Sequence, residues 1–137
     1  MKRTSKAEWS GPGKTGKGNV STQSGVLSKN QYSFSSRFEE GIGTNPEELI
    51  AAAHAGCFSM KLSFILGAAG HEPASIATDC TITIENGTIT NSDLNVNAKV
   101  PGITQESFEK CVEEAKITCP VSKVLNAEIT VQSVLES

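Results

Sequence analysis

Apolar and polar positions change period several times along this chain, and each change marks an element. Residues 3–40 read as a run of strands, with Gly11-Pro12-Gly13 and Gly16-Lys17-Gly18 as turns and Val20 to Val26 as the second strand. From Gln31 onward Tyr32, Phe34 and Phe38 share one parity while Ser33, Ser35 and Arg37 share the other. That alternation predicts a strand whose polar face carries Arg37. After Gly41-Ile42-Gly43-Thr44 the chain turns apolar over Glu47 to Ala69, which reads as one long helix. Asn45 is its cap, Pro46 takes the first helical position, and Glu47 and Glu48 complement the dipole in the first turn. The helix is expected to stop near Gly67 or Gly70, before Pro73.

A second group of strands follows. Ile76, Cys80, Ile82 and Ile84 fall on one face, Asn86-Gly87 is a hairpin turn, and Leu94, Val96, Ala98 and Val100 alternate again. Thr104-Gln105-Glu106-Ser107 opens an amphipathic helix with Phe108, Cys111, Val112 and Ala115 on its apolar stripe. A short helix from Pro120 to Leu125 and a last strand with Ile129, Val131 and Leu135 complete the order. Strands, long helix, strands, helices and strand make an α+β arrangement, not a regular βαβ winding.

The 137 residues fit a single domain, 1–137, with an ordinary core. A net charge of −3 without a basic stripe argues against nucleic acid as a partner. The first residues carry positive charge but no apolar stretch of the kind a signal peptide needs. The long helix contains His54 and Lys61 and opens on two glutamates, whereas a membrane span needs about 20 predominantly apolar residues. The reading is a core helix in a cytoplasmic protein, with no membrane partner. In that compartment cysteines are inert, metal-binding or catalytic more often than they are disulfide-bonded.

Four cysteines are present, and packing accounts for two. Cys80 is in register with isoleucines on a strand, and Cys111 lies in the apolar stripe of a helix, where cysteine serves as a small hydrophobe. Cys57 lies mid-helix among small residues, and Cys119 stands where the short helix would be capped, a position that lowers thiol pKa values. If Cys57 attacks a peroxide it must be a thiolate, and apolar surroundings oppose that. A cation is needed, and one at about 4 Å is worth roughly 4 kcal/mol at an effective dielectric near 20. The arginines are Arg3, in the N-terminal tail, and Arg37, which leaves Arg37 as the candidate. A buried arginine needs an acid, and Glu47 and Glu48 both qualify. Glu47 lies ten residues before Cys57, roughly 15 Å along a helix, so cooperation of all three points to a second copy of the chain or to an Arg37 that spans the gap.

Tyr32-Ser33-Phe34-Ser35-Ser36-Arg37-Phe38-Glu39, Gly43-Thr44-Asn45-Pro46-Glu47-Glu48-Leu49, Ala52-Ala53-His54-Ala55-Gly56-Cys57-Phe58-Ser59-Met60 and Cys119-Pro120-Val121-Ser122 together resemble the OsmC branch of the OsmC/Ohr hydroperoxide reductases. The resemblance extends nearly end to end, and an arginine after the third strand favours OsmC over Ohr. It implies an OsmC-like fold: an intertwined homodimer with two long central helices wrapped by antiparallel sheets. It also implies a thiol peroxidase that reduces organic hydroperoxides, and hydrogen peroxide more weakly, in oxidative and osmotic stress defence, with no cofactor and no metal. On this resemblance Cys57 is peroxidatic, Cys119 resolves its sulfenic acid as a disulfide, Arg37 stabilises the thiolate and Glu47 holds Arg37. A dithiol of lipoyl type would then reduce the disulfide.

Two other readings stay open at this stage. His54, Cys57 and Cys119 could ligate zinc, although the close-spaced ligand pairs of such sites are missing. His54 reads better as a packed or interface histidine, and His71 as a partner for the helix C-terminus. A non-catalytic relative that binds a small molecule or a protein partner is the other alternative.

Overall fold

The computed structural model describes residues 1–136. The chain divides into two compact units, Met1–Leu49 and Ile50–Ser137.

In the first unit β1 (Ser5–Ser10), β2 (Lys17–Thr22) and β3 (Asn30–Tyr32) form an antiparallel sheet in that order. The central strand is shorter than the expected Val20 to Val26. A side chain at Gly18 would collide with Trp9 and Tyr32, so the bare backbone there lets the two rings lie across β2, 5.5 Å apart.

Beyond Tyr32 the expectation of a continuing strand is wrong. Phe34–Phe38 is a short helix, α1, and Arg37 lies on it. Ser33 and Ser36 close a capping box: the Ser36 N–H donates to Ser33 Oγ at 3.3 Å and the Ser33 N–H donates to Ser36 Oγ at 2.8 Å. The parity of Phe34 and Phe38 misled because a spacing of four is even and also a helical neighbour; the rings pack at a tilt, 5.1 Å apart.

The long helix α2 spans Pro46–Ala68. Its start is as expected, with Asn45 Oδ1 accepting from the Glu48 N–H at 2.7 Å. Gly70 at φ 89° ends it, the His71 N–H reaching back to the Leu66 carbonyl at 2.9 Å. By length and composition α2 is apolar enough to cross a membrane. Its buried stripe of His54, Phe58, Leu62 and Leu66 instead makes it a core helix on one side.

In the second unit β4 (Ser75–Glu85), β5 (Thr88–Lys99) and β6 (Glu128–Glu136) form a sheet with β5 in the centre. The β4–β5 hairpin turns at Asn86-Gly87, both at positive φ. This sheet is mixed, which corrects the expectation of wholly antiparallel sheets: β5 and β6 run parallel. The cause is the crossover through α3 (Gln105–Thr118) and α4 (Pro120–Val124), which returns the chain to the starting end of β5. Phe58, Leu62 and Leu66 share one core with Leu94, Val96, Ala98 and Val100 of the sheet and Phe108, Cys111, Val112 and Ala115 of α3. Leu62→Ala should lower stability by about 2–5 kcal/mol in urea denaturation, the cost of a cavity in a packed core.

Candidate active site

Cys119 closes α3 and opens α4, where the chain must change direction. Its N–H donates to the Ala115 carbonyl at 3.0 Å, and its own carbonyl accepts from Lys123 at 3.1 Å. Pro120 follows at the first position of α4, and the Cys119 side chain forms no capping bond. The thiol is fully buried. Cys57, half-buried on α2, faces the Cys119 thiol and the backbone N–H of Val121. All four cysteines are free thiols. Burial pushes the Cys57 thiol above its ordinary range, while the Val121 N–H draws it down. The neighbouring Cys119 thiol pushes it up again, and the charge of Lys61 pulls it down. Lys61 stands one turn beyond Cys57 on the same helix face.

In the first unit Arg37 meets Glu47. Arg37 Nη2 and Nε donate to Glu47 Oε1 at 2.7 and 3.0 Å. The carboxylate side chain is only 11% exposed and the arginine 35%. Two further bonds set this approach: Ser36 Oγ donates to the Thr44 carbonyl at 2.8 Å, and Asn45 Nδ2 donates to the Ser36 carbonyl at 3.0 Å. They tie α1 to the start of α2. Glu48, equally eligible by sequence, turns away and accepts from Thr44 Oγ1 at 2.7 Å. The guanidinium also lies 4.7 Å from the Phe38 ring centroid. A cavity of about 250 Å³ opens beside it, walled by Trp9, Tyr32, Phe34 and Phe38.

His54 is fully buried. Its Nδ1 lies 2.6 Å from Ser92 Oγ and its Nε2 2.8 Å from Ser122 Oγ. With both ring nitrogens engaged by hydroxyls, it is a packed histidine. Burial lowers its pKa. Cys80 Sγ adjoins this group, 3.2 Å from Ser92 Oγ; burial raises its pKa. Cys111 is buried on the apolar stripe of α3, and burial raises its pKa too.

Residues 39–134 match the family described as OsmC-like protein. The chain belongs to the OsmC-like family. It is 50% identical over 135 residues to a protein named Peroxiredoxin OsmC from Escherichia coli strain K12, covering 96% of this chain and 94% of that one. It is also 35% identical over 97 residues to Organic hydroperoxide resistance protein-like 2 of Staphylococcus epidermidis, 67% of each chain. The crystal structure of OhrB of Bacillus subtilis superposes with a TM-score of 0.66 over 96% of this chain and 98% of that one, at 22% identity, which establishes the shared α+β fold.

Three contributors escaped the reading of this OsmC-like sequence. Lys61 was legible, because four residues after Cys57 on a helix is the neighbouring position. Ser122 follows Cys119 by three residues, also a legible spacing. Ser92 gave no signal; only strand pairing brings it to His54.

The neutral His54 implies a pH dependence of folding. Its folded pKa lies below the ordinary value of about 6.5, so the unfolded chain binds the proton first as pH falls. Stability should be undiminished above that value and fall below it. Urea denaturation between pH 7 and 5 should show this loss in wild type and much less of it in His54→Gln.

Proposed function

We propose that this chain is a cysteine-based hydroperoxide reductase with Cys57 as nucleophile and Cys119 as resolving thiol. The facing of these two thiols, from a long helix and from the junction of α3 and α4, carries the reading. The Cys57 thiolate attacks the terminal oxygen of a hydroperoxide, the O–O bond breaks, and the alkoxide leaves with a proton as an alcohol. Cys57 becomes a sulfenic acid. The Cys119 sulfur then attacks the Cys57 sulfur, the S–O bond breaks, and the oxygen leaves with the thiol proton as water. An external dithiol, of lipoyl type in this reading, takes the disulfide and restores both thiols as it is oxidised.

The name of the Escherichia relative supports a peroxide as substrate, and that of the Staphylococcus relative an organic hydroperoxide. Hydrogen peroxide is the poorer substrate, and the setting is stress defence in the cytoplasm. Burial works against the Cys57 thiolate, so Arg37, held by Glu47, is assigned to stabilise it and orient the peroxide. Residues 1–137 act as one domain within a homodimer. Two features support the second copy: β1 is exposed along its whole length, and α2 presents Gly56, Met60 and Phe64 outward on one stripe, the last two 66% and 70% exposed.

With excess dithiol and cumene hydroperoxide, Cys57→Ser should lose turnover entirely. Cys119→Ser should form the sulfenic acid once but no intramolecular disulfide. Full activity in Cys57→Ser would refute the mechanism, and an inert wild type would favour a non-catalytic binding protein. Arg37→Met should move the rising limb of the pH–rate profile to higher pH. Phe64→Glu should turn a dimer into monomers in analytical ultracentrifugation.

A further inference from the structure

We propose that His54 and Ser122 form a strut that keeps Cys119 poised against Cys57, so that both act as positioning residues in the disulfide-forming step. The proposal rests on the assignment of Cys57 and Cys119 given above.

The spacing is reciprocal. His54 precedes Cys57 by three residues on α2, and Ser122 follows Cys119 by three residues at α4. Each interval is close to one helical turn. The thiol pair and the histidine–serine bond are therefore two adjacent rungs between the same two elements. Helix α4 needs such a support. It has five residues, far fewer than a helix needs to persist alone, and Cys119 gives it no side-chain cap. The strut itself is held from behind, since Ser92 of β5 engages Nδ1 at 2.6 Å and fixes the ring plane that offers Nε2 to Ser122. His54 and Ser92 are completely buried and Ser122 nearly so, which shields the bond from competing water.

The two chemical steps make different demands on this geometry. Peroxide attack uses the Cys57 sulfur and the peroxide oxygen. Disulfide formation needs the Cys119 sulfur in line with the Cys57 S–OH bond, which breaks as the S–S bond forms and water departs. Loss of the strut lets α4 drift and lowers the effective concentration of Cys119. It leaves Cys57 in place on α2, and touches peroxide attack only through the Val121 N–H, which moves with α4.

The test uses the full chain, rapidly mixed with cumene hydroperoxide. Sulfenic acid is trapped with dimedone, and the Cys57–Cys119 disulfide is followed by quenched alkylation and peptide mapping. Ser122→Ala should convert sulfenic acid to disulfide about tenfold more slowly, the scale of one lost buried hydrogen bond, while sulfenic acid formation slows far less, through the displaced Val121 N–H alone. Ser122→Thr, which keeps the hydroxyl, should restore the rate. His54→Asn should show the same selective loss, which preserves the test if Ser122→Ala does not fold. Disulfide formation at the wild-type rate in Ser122→Ala, or both steps slowed equally, overturns the strut alone. A wild-type chain that forms no Cys57–Cys119 disulfide overturns the assignment beneath it, and the strut with it.

Discussion

Burial of the stripe His54, Phe58, Leu62 and Leu66 against the β4–β5–β6 sheet fixes the rotation of α2 about its axis, and the thiol pair depends on that rotation. Cys57 is one position ahead of Phe58, so it falls at the margin of the buried face, where it is half-exposed and meets the start of α4. A helix rotated by one residue, about 100°, would carry Cys57 elsewhere. The stripe is apolar except for His54, and that exception is satisfied at both nitrogens.

Burial that secures this geometry also opposes the proposed chemistry. The environment that orders Cys57 raises its pKa, whereas a peroxidatic cysteine must ionise. Local relief comes from the Val121 N–H and the Lys61 charge, both consequences of where α2 and α4 lie. The Arg37–Glu47 pair has a similar logic in the first unit. An acid with a side chain only 11% exposed holds a guanidinium in one orientation, and the capping box, the Thr44 and Asn45 bonds and the Phe38 ring restrict it further.

Much of the fold was legible in the amino-acid order. The limits of α2, the Asn86-Gly87 hairpin and the Cys119-Pro120 junction came from caps, turn chemistry and proline, all local signals. The failure at Phe34–Phe38 was also local. An even spacing of aromatics fits a strand and one turn of helix alike, and the Ser33–Ser36 capping box decided between them. The parallel pairing of β6 with β5 was not legible, since alternation reveals a face but not a direction.

The candidate site divides in the same way. Sequence alone singled out the candidates for chemistry: two cysteines that packing does not require, one eligible arginine, two eligible acids and a family likeness. It could do so because residue type and local spacing are properties of the chain. Only the tertiary structure decided that Glu47, not Glu48, pairs with Arg37. It also brought Cys119 to Cys57, and Ser92 and Ser122 to the two nitrogens of His54. Those choices depend on strand register, helix rotation and the path of a crossover, and residues far apart in sequence set these jointly.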